Sequence, residues 1–195
     1  MMTHSSRNPF VRRAVYACAA LVFVSSVAAA QASTVILVRH GEKAARPVDD
    51  PPLTNDGQAR ARDLAAAVAD VHVSTVIATQ FVRTQATAKP VADAAGKTTI
   101  IIPATADPKA HADSVAAKVR SAPAGSAVLV VGHSNTIPLI IAALGGPKMQ
   151  DLCEAEYANM FVLQMAGGGS PRLVRAKYGV SDPMGSEKCT RPMKK

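Results

Sequence analysis

Two short stretches of this 195-residue chain end in residues that do not belong in a hydrophobic core. The first is Thr34-Val35-Ile36-Leu37-Val38, followed by Arg39-His40-Gly41-Glu42. The second is Ala127-Val128-Leu129-Val130-Val131, followed by Gly132-His133-Ser134-Asn135-Thr136. A neutral imidazole is a good nucleophile near pH 7 and can form a covalent intermediate. A guanidinium carries a permanent charge and a fork of donors suited to an oxyanion. Brought together, such groups can hold an anionic group, neutralise it and attack it. By themselves the residues do not say which histidine, His40 or His133, is the nucleophile.

The elements around them must do the positioning. Each apolar run is too short for a helix and reads as a strand buried on both faces. In open α/β sheets ligands sit at the carboxyl ends of strands, where both histidines fall. Gly41 permits a sharp turn and a close approach by a ligand. Ser134 and Asn135 are good N-cap residues and Pro138 suits a first helical turn, so His133 is expected between a strand end and a helix N-terminus. Between the two stretches, Thr54 is a helix cap with Asp56 in the first turn, and Ala61, Leu64, Ala65, Val68 and Ala69 share one face. Ser74 to Ala78 reads as a second strand, followed by a helix running to about Ala95 and ended by Gly96. Thr98 to Ile102 is a third strand. Asp107-Pro108 opens a helix in which His111, Val115, Ala116 and Val119 have helical spacing. After the fourth strand, Ile137 to Leu144 is an apolar helix. Asn159 to Met165 and Pro171 to Tyr178 are strands joined by a Gly167-Gly168-Gly169 hairpin. The pattern predicts an α/β fold: a three-layer α/β/α sandwich with a mostly parallel central sheet of about six strands, the last pair antiparallel.

Arg39-His40-Gly41-Glu42 together with Gly132-His133-Ser134-Asn135-Thr136 resembles the histidine phosphatase superfamily, the phosphoglycerate-mutase-like fold. The stretch Leu53-Thr54-Asn55-Asp56-Gly57-Gln58-Ala59, which starts a helix, resembles that family's first helix. Arg83 precedes Thr87-Ala88 by four residues, as in its second block. The resemblance implies phosphoryl transfer to His40, giving a phosphohistidine, with Arg39, Arg83 and His133 around the phosphoryl oxygens. No metal or other cofactor is implied, because these groups can supply the positive charge. The substrate would be a small phosphorylated molecule or a phosphoprotein. Long insertions that would cap a large substrate are missing, which argues against a phytase-type enzyme.

The group that protonates the leaving oxygen is less well marked. Ser134 follows His133 where many relatives carry an acid. Asp107, at a loop-to-helix junction past the third strand, is the leading candidate, and Glu42 and Glu156 are alternatives. His72 and His111 lie outside the motifs and are expected at the surface or in the core. Two further readings stand beside the phosphomonoesterase: a phosphohistidine protein phosphatase, whose leaving imidazole is easily expelled, and a non-catalytic anion-binding protein.

Residues 1–32 contain Arg7, Arg12 and Arg13, no acid, and an apolar run from Ala14 to about Ala30, ending in the small-x-small pattern Ala30-Gln31-Ala32. This is the pattern of a secretory signal peptide, cleaved after Ala32, with residues 33–195 as a single domain. The run is short for a membrane span and is interrupted by Ser25-Ser26, so no stable anchor is expected after cleavage, and the location is expected to be periplasmic or secreted. Removing the three arginines lowers the formal net charge from +8 to +5. The excess is scattered and lacks interleaved aromatics, which gives weak support for an anionic substrate and none for nucleic acid. Cys18 would leave with the leader. In an oxidising compartment the remaining Cys153 and Cys189 most simply form one disulfide, though spacing does not establish their proximity.

Overall fold

The structure, a computed structural model, describes residues 1–2, 33–165 and 169–184. The leader expected over 1–32 therefore falls almost wholly outside the described residues, as do Cys189 and most of the expected Gly167–Gly169 loop. Among the described residues no helix is long and apolar enough to cross a membrane.

Ten elements follow in order: β1 (Thr34–Arg39), α1 (Asn55–Ala67), β2 (Val73–Ala78), α2 (Val82–Ala95), β3 (Thr99–Ile101), α3 (Pro108–Arg120), β4 (Ala127–Gly132), α4 (Thr136–Ala143), β5 (Asn159–Gln164) and β6 (Arg172–Lys177). They form one six-stranded sheet in the order β3-β2-β4-β1-β5-β6. β1 to β4 are mutually parallel where they pair. β5 runs antiparallel to β1, and β6 antiparallel to β5, as expected for the last pair.

β1 and β4 sit side by side at the centre and read as near-continuous apolar runs because both of their faces are covered. Val35 and Leu37 point into one core layer with residues of α3 and α4, including Val115, Ile137 and Ile141. Ile36 and Val38 point into the other with residues of α1 and α2, including Leu64 and Val91. This period-two alternation between two filled layers is what fixes the register. Gly96 closes α2 in the left-handed conformation, at φ 62°. α1 ends at Ala67, short of the Ala69 that its apolar face would include, and Ala69 is exposed.

Both central strands run one residue past their apolar stretches. Arg39 pairs with Gly132 as the last rung of the ladder. The His40 amide then donates to the Gly132 carbonyl (3.0 Å), so the two histidines leave adjacent strands at the same level.

Candidate active site

His40 is held by backbone packing on one side and by a helix on the other. A Cβ on Gly41 would come within 2.8 Å of the Gly57 carbonyl oxygen, and a Cβ on Gly57 would strike the backbone of Glu42. Two glycines therefore let the first turn of α1 lie directly against the His40 loop. Thr54 caps that helix by accepting from the Gly57 amide (3.1 Å). From α2, the Thr87 hydroxyl accepts the Gly41 amide (3.0 Å) and donates to the Arg83 carbonyl (2.8 Å).

His40 is 3% exposed. Its Nδ1 lies 2.7 Å from the Gly41 carbonyl oxygen. A carbonyl only accepts, so Nδ1 carries the proton and Nε2 is left with a free lone pair. Burial, partly opposed by that hydrogen bond and reinforced by Arg39, His133 and Arg83, lowers the His40 pKa to about 3. The imidazole is thus neutral near pH 7 with its nucleophilic nitrogen fixed.

His133 faces it, with ring centroids 5.4 Å apart and planes at 66°. The Phe81 ring meets His133 edge to face, also at 5.4 Å. His133 Nε2 lies 3.1 Å from the Thr79 hydroxyl, which lies 2.8 Å from the Thr84 hydroxyl. Burial, then the charges of Arg83, His111 and Arg39, lower the His133 pKa to about 4, against an opposing pull from Glu154. The helix start expected after His133 is built differently from its sequence. Asn135 occupies the cap position without a side-chain bond. The His133 carbonyl accepts the Thr136 and Ile137 amides, and the Thr136 hydroxyl accepts the His133 amide. Ser134 is thereby free to donate to the Glu154 carboxylate (3.1 Å).

The two imidazoles open into a crevice of about 600 Å³ that is also lined by Arg39, Lys43, Phe81, Arg83 and Glu154. Arg39 is buried. Its Nη1 donates to the Cys153 and Glu154 carbonyls (2.9 and 2.8 Å), its Nη2 to the Glu154 carboxylate (2.7 Å), and Tyr157 stacks 4.3 Å from its guanidinium carbon. Its Nε is buried with no partner. Arg83 stacks on Phe81 (4.3 Å), leans on Asp50 (3.4 Å) and likewise has a buried, unpartnered Nε. Burial pulls the Arg83 pKa down; Asp50 opposes this and Arg39 adds to it. Two guanidinium groups with unused donors beside a free imidazole nitrogen have the chemistry to hold an oxyanion.

The structure thus brings together Arg39, His40, Arg83 and His133. It does not bring Asp107 with them. Asp107 is exposed, is not among the crevice-lining residues, and caps α3 by accepting the Lys109 and Ala110 amides (2.9 and 3.1 Å). The neighbouring positions Ala104, Thr105, Ala106 and Pro108 line the crevice instead. A carboxylate before a proline at a helix start serves the helix first. Glu42 is bound by Arg60, with Nη2 to Oε1 at 2.7 Å and Nε at 2.9 and 3.0 Å from the two oxygens. Glu156 turns back to accept the Cys153 amide (2.9 Å). Cys153 is disulfide-bonded, and Cys189, its expected partner, lies outside the described residues. His72 is exposed, and His111 is buried with Nδ1 on the Pro103 carbonyl (3.0 Å). Among the described residues no group of three or more His, Cys, Asp or Glu side chains is placed to hold a metal ion.

Sequence reasoning missed Glu154, Lys43, Thr79 and Thr84. Thr79 carried a usable signal, since it is the first residue past β2 and so lies at the same sheet end as the histidines. Glu154 did not, because the choice between it and Glu156 depends on how one turn folds. Burial tends to raise the Glu154 pKa, but the Arg39 charge and the hydrogen bonds from Ser134 and Arg39 outweigh it, so its carboxyl titrates below the usual range.

Residues 35–109 match the model of the histidine phosphatase superfamily (branch 1). A search of the curated proteins found no match. Among solved structures, the protein histidine phosphatase SixA complexed with tungstate shares the fold with a TM-score of 0.59 and 20% identity, covering 74% of this chain and 96% of that one. A mycobacterial glucosyl-3-phosphoglycerate phosphatase aligns with a TM-score of 0.59 and 14% identity over 77% of this chain and all of its own. The structure named mycobacterial hydrolase 2 gives 0.59 and 16% over 78% and 92%. At these identities the structural likenesses speak for the fold alone. The family match thus spans β1 to the start of α3, and the six-stranded α/β architecture is of the kind seen in the SixA structure.

Proposed function

We propose that this protein is a metal-independent phosphatase that hydrolyses phosphomonoesters through a phosphohistidine on His40, and that it works in the periplasm or outside the cell. The observation that carries the reading is the free Nε2 of a neutral, tautomer-fixed His40, 5.4 Å between ring centroids from His133 and flanked by two arginines with unused donors. The phosphoryl oxygens would take the open donors of Arg39 and Arg83, and Lys43 adds charge at the exposed mouth. His40 Nε2 then displaces the leaving oxygen in line, and water releases phosphate in a second step. The secretory pattern of residues 1–32 supports the location.

The test is hydrolysis of a generic aryl phosphate by the mature protein in the presence of chelator, with acid quench to trap the label. Label on His40, and loss of turnover in His40→Ala, are expected. Full activity in His40→Ala, or a strict need for added metal, would refute it.

One observation favours a second reading, a phosphohistidine protein phosphatase like the SixA relative. The carboxylates near the crevice are already engaged: Glu154 by Arg39 and Ser134, Asp107 by its helix. A leaving imidazole makes the least demand on a strong acid. Faster turnover of a phosphohistidine protein than of alkyl phosphates would select it.

A further inference from the structure

The hydroxyls behind His133 decide which of its nitrogens carries the proton. Thr79 and Thr84 are both buried, at 1% and 0% exposure. Thr84 Oγ1 lies 2.8 Å from the Phe81 carbonyl oxygen, 3.1 Å from the Thr79 carbonyl oxygen and 2.8 Å from Thr79 Oγ1. Thr79 Oγ1 lies between Thr84 Oγ1 and His133 Nε2. Each hydroxyl has one proton and the carbonyls only accept. If Thr84 donates to a carbonyl, Thr79 donates to Thr84 and His133 Nε2–H donates to Thr79, three hydrogen bonds form. If the order is reversed and Thr79 donates to Nε2, only two form. Because both threonine hydroxyls are buried away from water, the arrangement with more bonds between them prevails, since each unmade buried bond carries the full desolvation cost.

We propose that the Thr84–Thr79 relay fixes neutral His133 as its Nε2–H tautomer, so that Nδ1 offers a lone pair to the crevice and the site takes the phosphoryl group in its monoprotonated form. This rests on the phosphatase reading above and extends it to the form of the substrate and the source of the missing acid. The phosphoryl proton passes to His133 Nδ1. The His40 Nε2 lone pair forms the bond to phosphorus as the bond from phosphorus to the leaving oxygen breaks. That oxygen keeps the electron pair and takes the proton from His133 Nδ1. Neutral alcohol departs, and phospho-His40 retains its Nδ1–H on the Gly41 carbonyl. The substrate thereby brings its own acid, and no carboxylic acid is needed. Thr79 and Thr84 are positioning residues, acting only through His133. The charged and titratable groups facing His133 are Arg39 and His40 at the end of β1, Arg83 on α2, His111 on α3 and Glu154 before β5. The positive ones among them favour a neutral His133 until an anion arrives.

The test uses the whole mature protein and inorganic phosphate. Nitrogen NMR of the resting protein should show His133 protonated at Nε2. At about pH 8, where phosphate is mainly dianionic, calorimetry in two buffers of different ionisation heat should show uptake of about one proton per phosphate bound. Uptake should fall towards zero in Thr79→Val and Thr84→Val, whose rings are free to turn an Nδ1–H to the anion, and return in Thr84→Ser. An Nδ1–H tautomer at rest, zero uptake in the wild type, or unchanged uptake in a folded valine variant would each overturn the proposal. Should the valine variants not fold, the wild-type tautomer and proton count still decide. Phosphate binding with the expected uptake but no turnover of any ester would sink the phosphatase reading alone. Turnover through His40 without proton uptake would sink the relay alone. No phosphate binding at all would refute both.

Discussion

Arg39 and Arg60 are made of the same parts. Each is buried, at 1% and 5% exposure, each is paired with a glutamate, and each has a tyrosine ring beside it, Tyr157 at 4.3 Å and Tyr178 at 5.8 Å. They differ in what is left over. Arg60 spends Nε and Nη2 on Glu42 and Nη1 on the Tyr178 carbonyl, and Glu42 is itself largely covered, its side chain 23% exposed. Arg39 keeps Nε unpartnered, and its glutamate, Glu154, is 76% exposed at the crevice rim. A saturated buried cation fixes structure: here it ties α1 to the His40 loop and to the residue after β6. A buried cation with a donor to spare, paired with a carboxylate that stands exposed at the crevice rim, is the arrangement that the proposed phosphate binding calls for. Burial and pairing alone do not separate the two cases, whereas counting unused donors does.

The largest expected effect is on activity. Arg39→Ala should lower kcat/KM by about two orders of magnitude or more, by analogy with one lost oxyanion donor, and Arg83→Ala should do the same. Lysine at either position should restore only part, lacking the planar fork. Full activity in Arg39→Ala would erase the distinction drawn above. Arg60→Ala should act on stability instead, lowering it by roughly 3 kcal/mol because Glu42 loses its buried partner, with a far smaller change in kcat than Arg39→Ala. Urea unfolding together with steady-state kinetics would tell them apart.

A third effect comes from pH. His40 and His133 titrate at about 3 and about 4 in the folded chain, against 6.5 for an unperturbed histidine. The unfolded chain therefore binds more protons below about pH 6.5, and stability should fall as pH drops from there towards the folded values, by up to roughly 1.4 kcal/mol per pH unit for each histidine. The urea midpoint should decline between about pH 7 and pH 5, and His133→Gln should flatten that decline. A smaller effect is expected of Glu154→Gln, which removes the competing carboxylate from Arg39. It should tighten phosphate binding roughly two- to fivefold, in line with an exposed ion pair. Weaker binding would show that Glu154 helps rather than competes. The smallest change is expected of Asp107→Asn, since asparagine caps a helix as well as aspartate does. Activity on alkyl phosphates and melting temperature should both stay near wild type, while Asp107→Ala should lose about 1 kcal/mol of stability. A severe loss of alkyl-phosphate turnover in Asp107→Asn would return that residue to the acid role.

The sequence by itself determined the strands and which of their ends carry the two histidines. Short β-branched runs broken by Arg39-His40-Gly41 and Gly132-His133 can be little else in an α/β chain, because apolar burial sets the period and the polar break sets the strand end. It also determined the helix caps at Thr54, Asp107 and Gly96, which depend on contacts within a few residues. What it did not determine is how carboxylates and hydroxyls are shared. Asp107, Glu42, Glu156 and Glu154 look alike in the chain, and only the tertiary structure assigns the first to an α3 cap, the second to Arg60, the third to a turn and the fourth to Arg39. The same holds for Thr79, whose hydroxyl meets His133 only because β2 lies beside β4, while Thr84, five residues on, meets the Thr79 hydroxyl behind it. Apolar burial is summed over a pattern and is written locally. A hydrogen bond requires its partner to within about 3 Å, and that partner comes from a distant part of the chain that only the fold brings near.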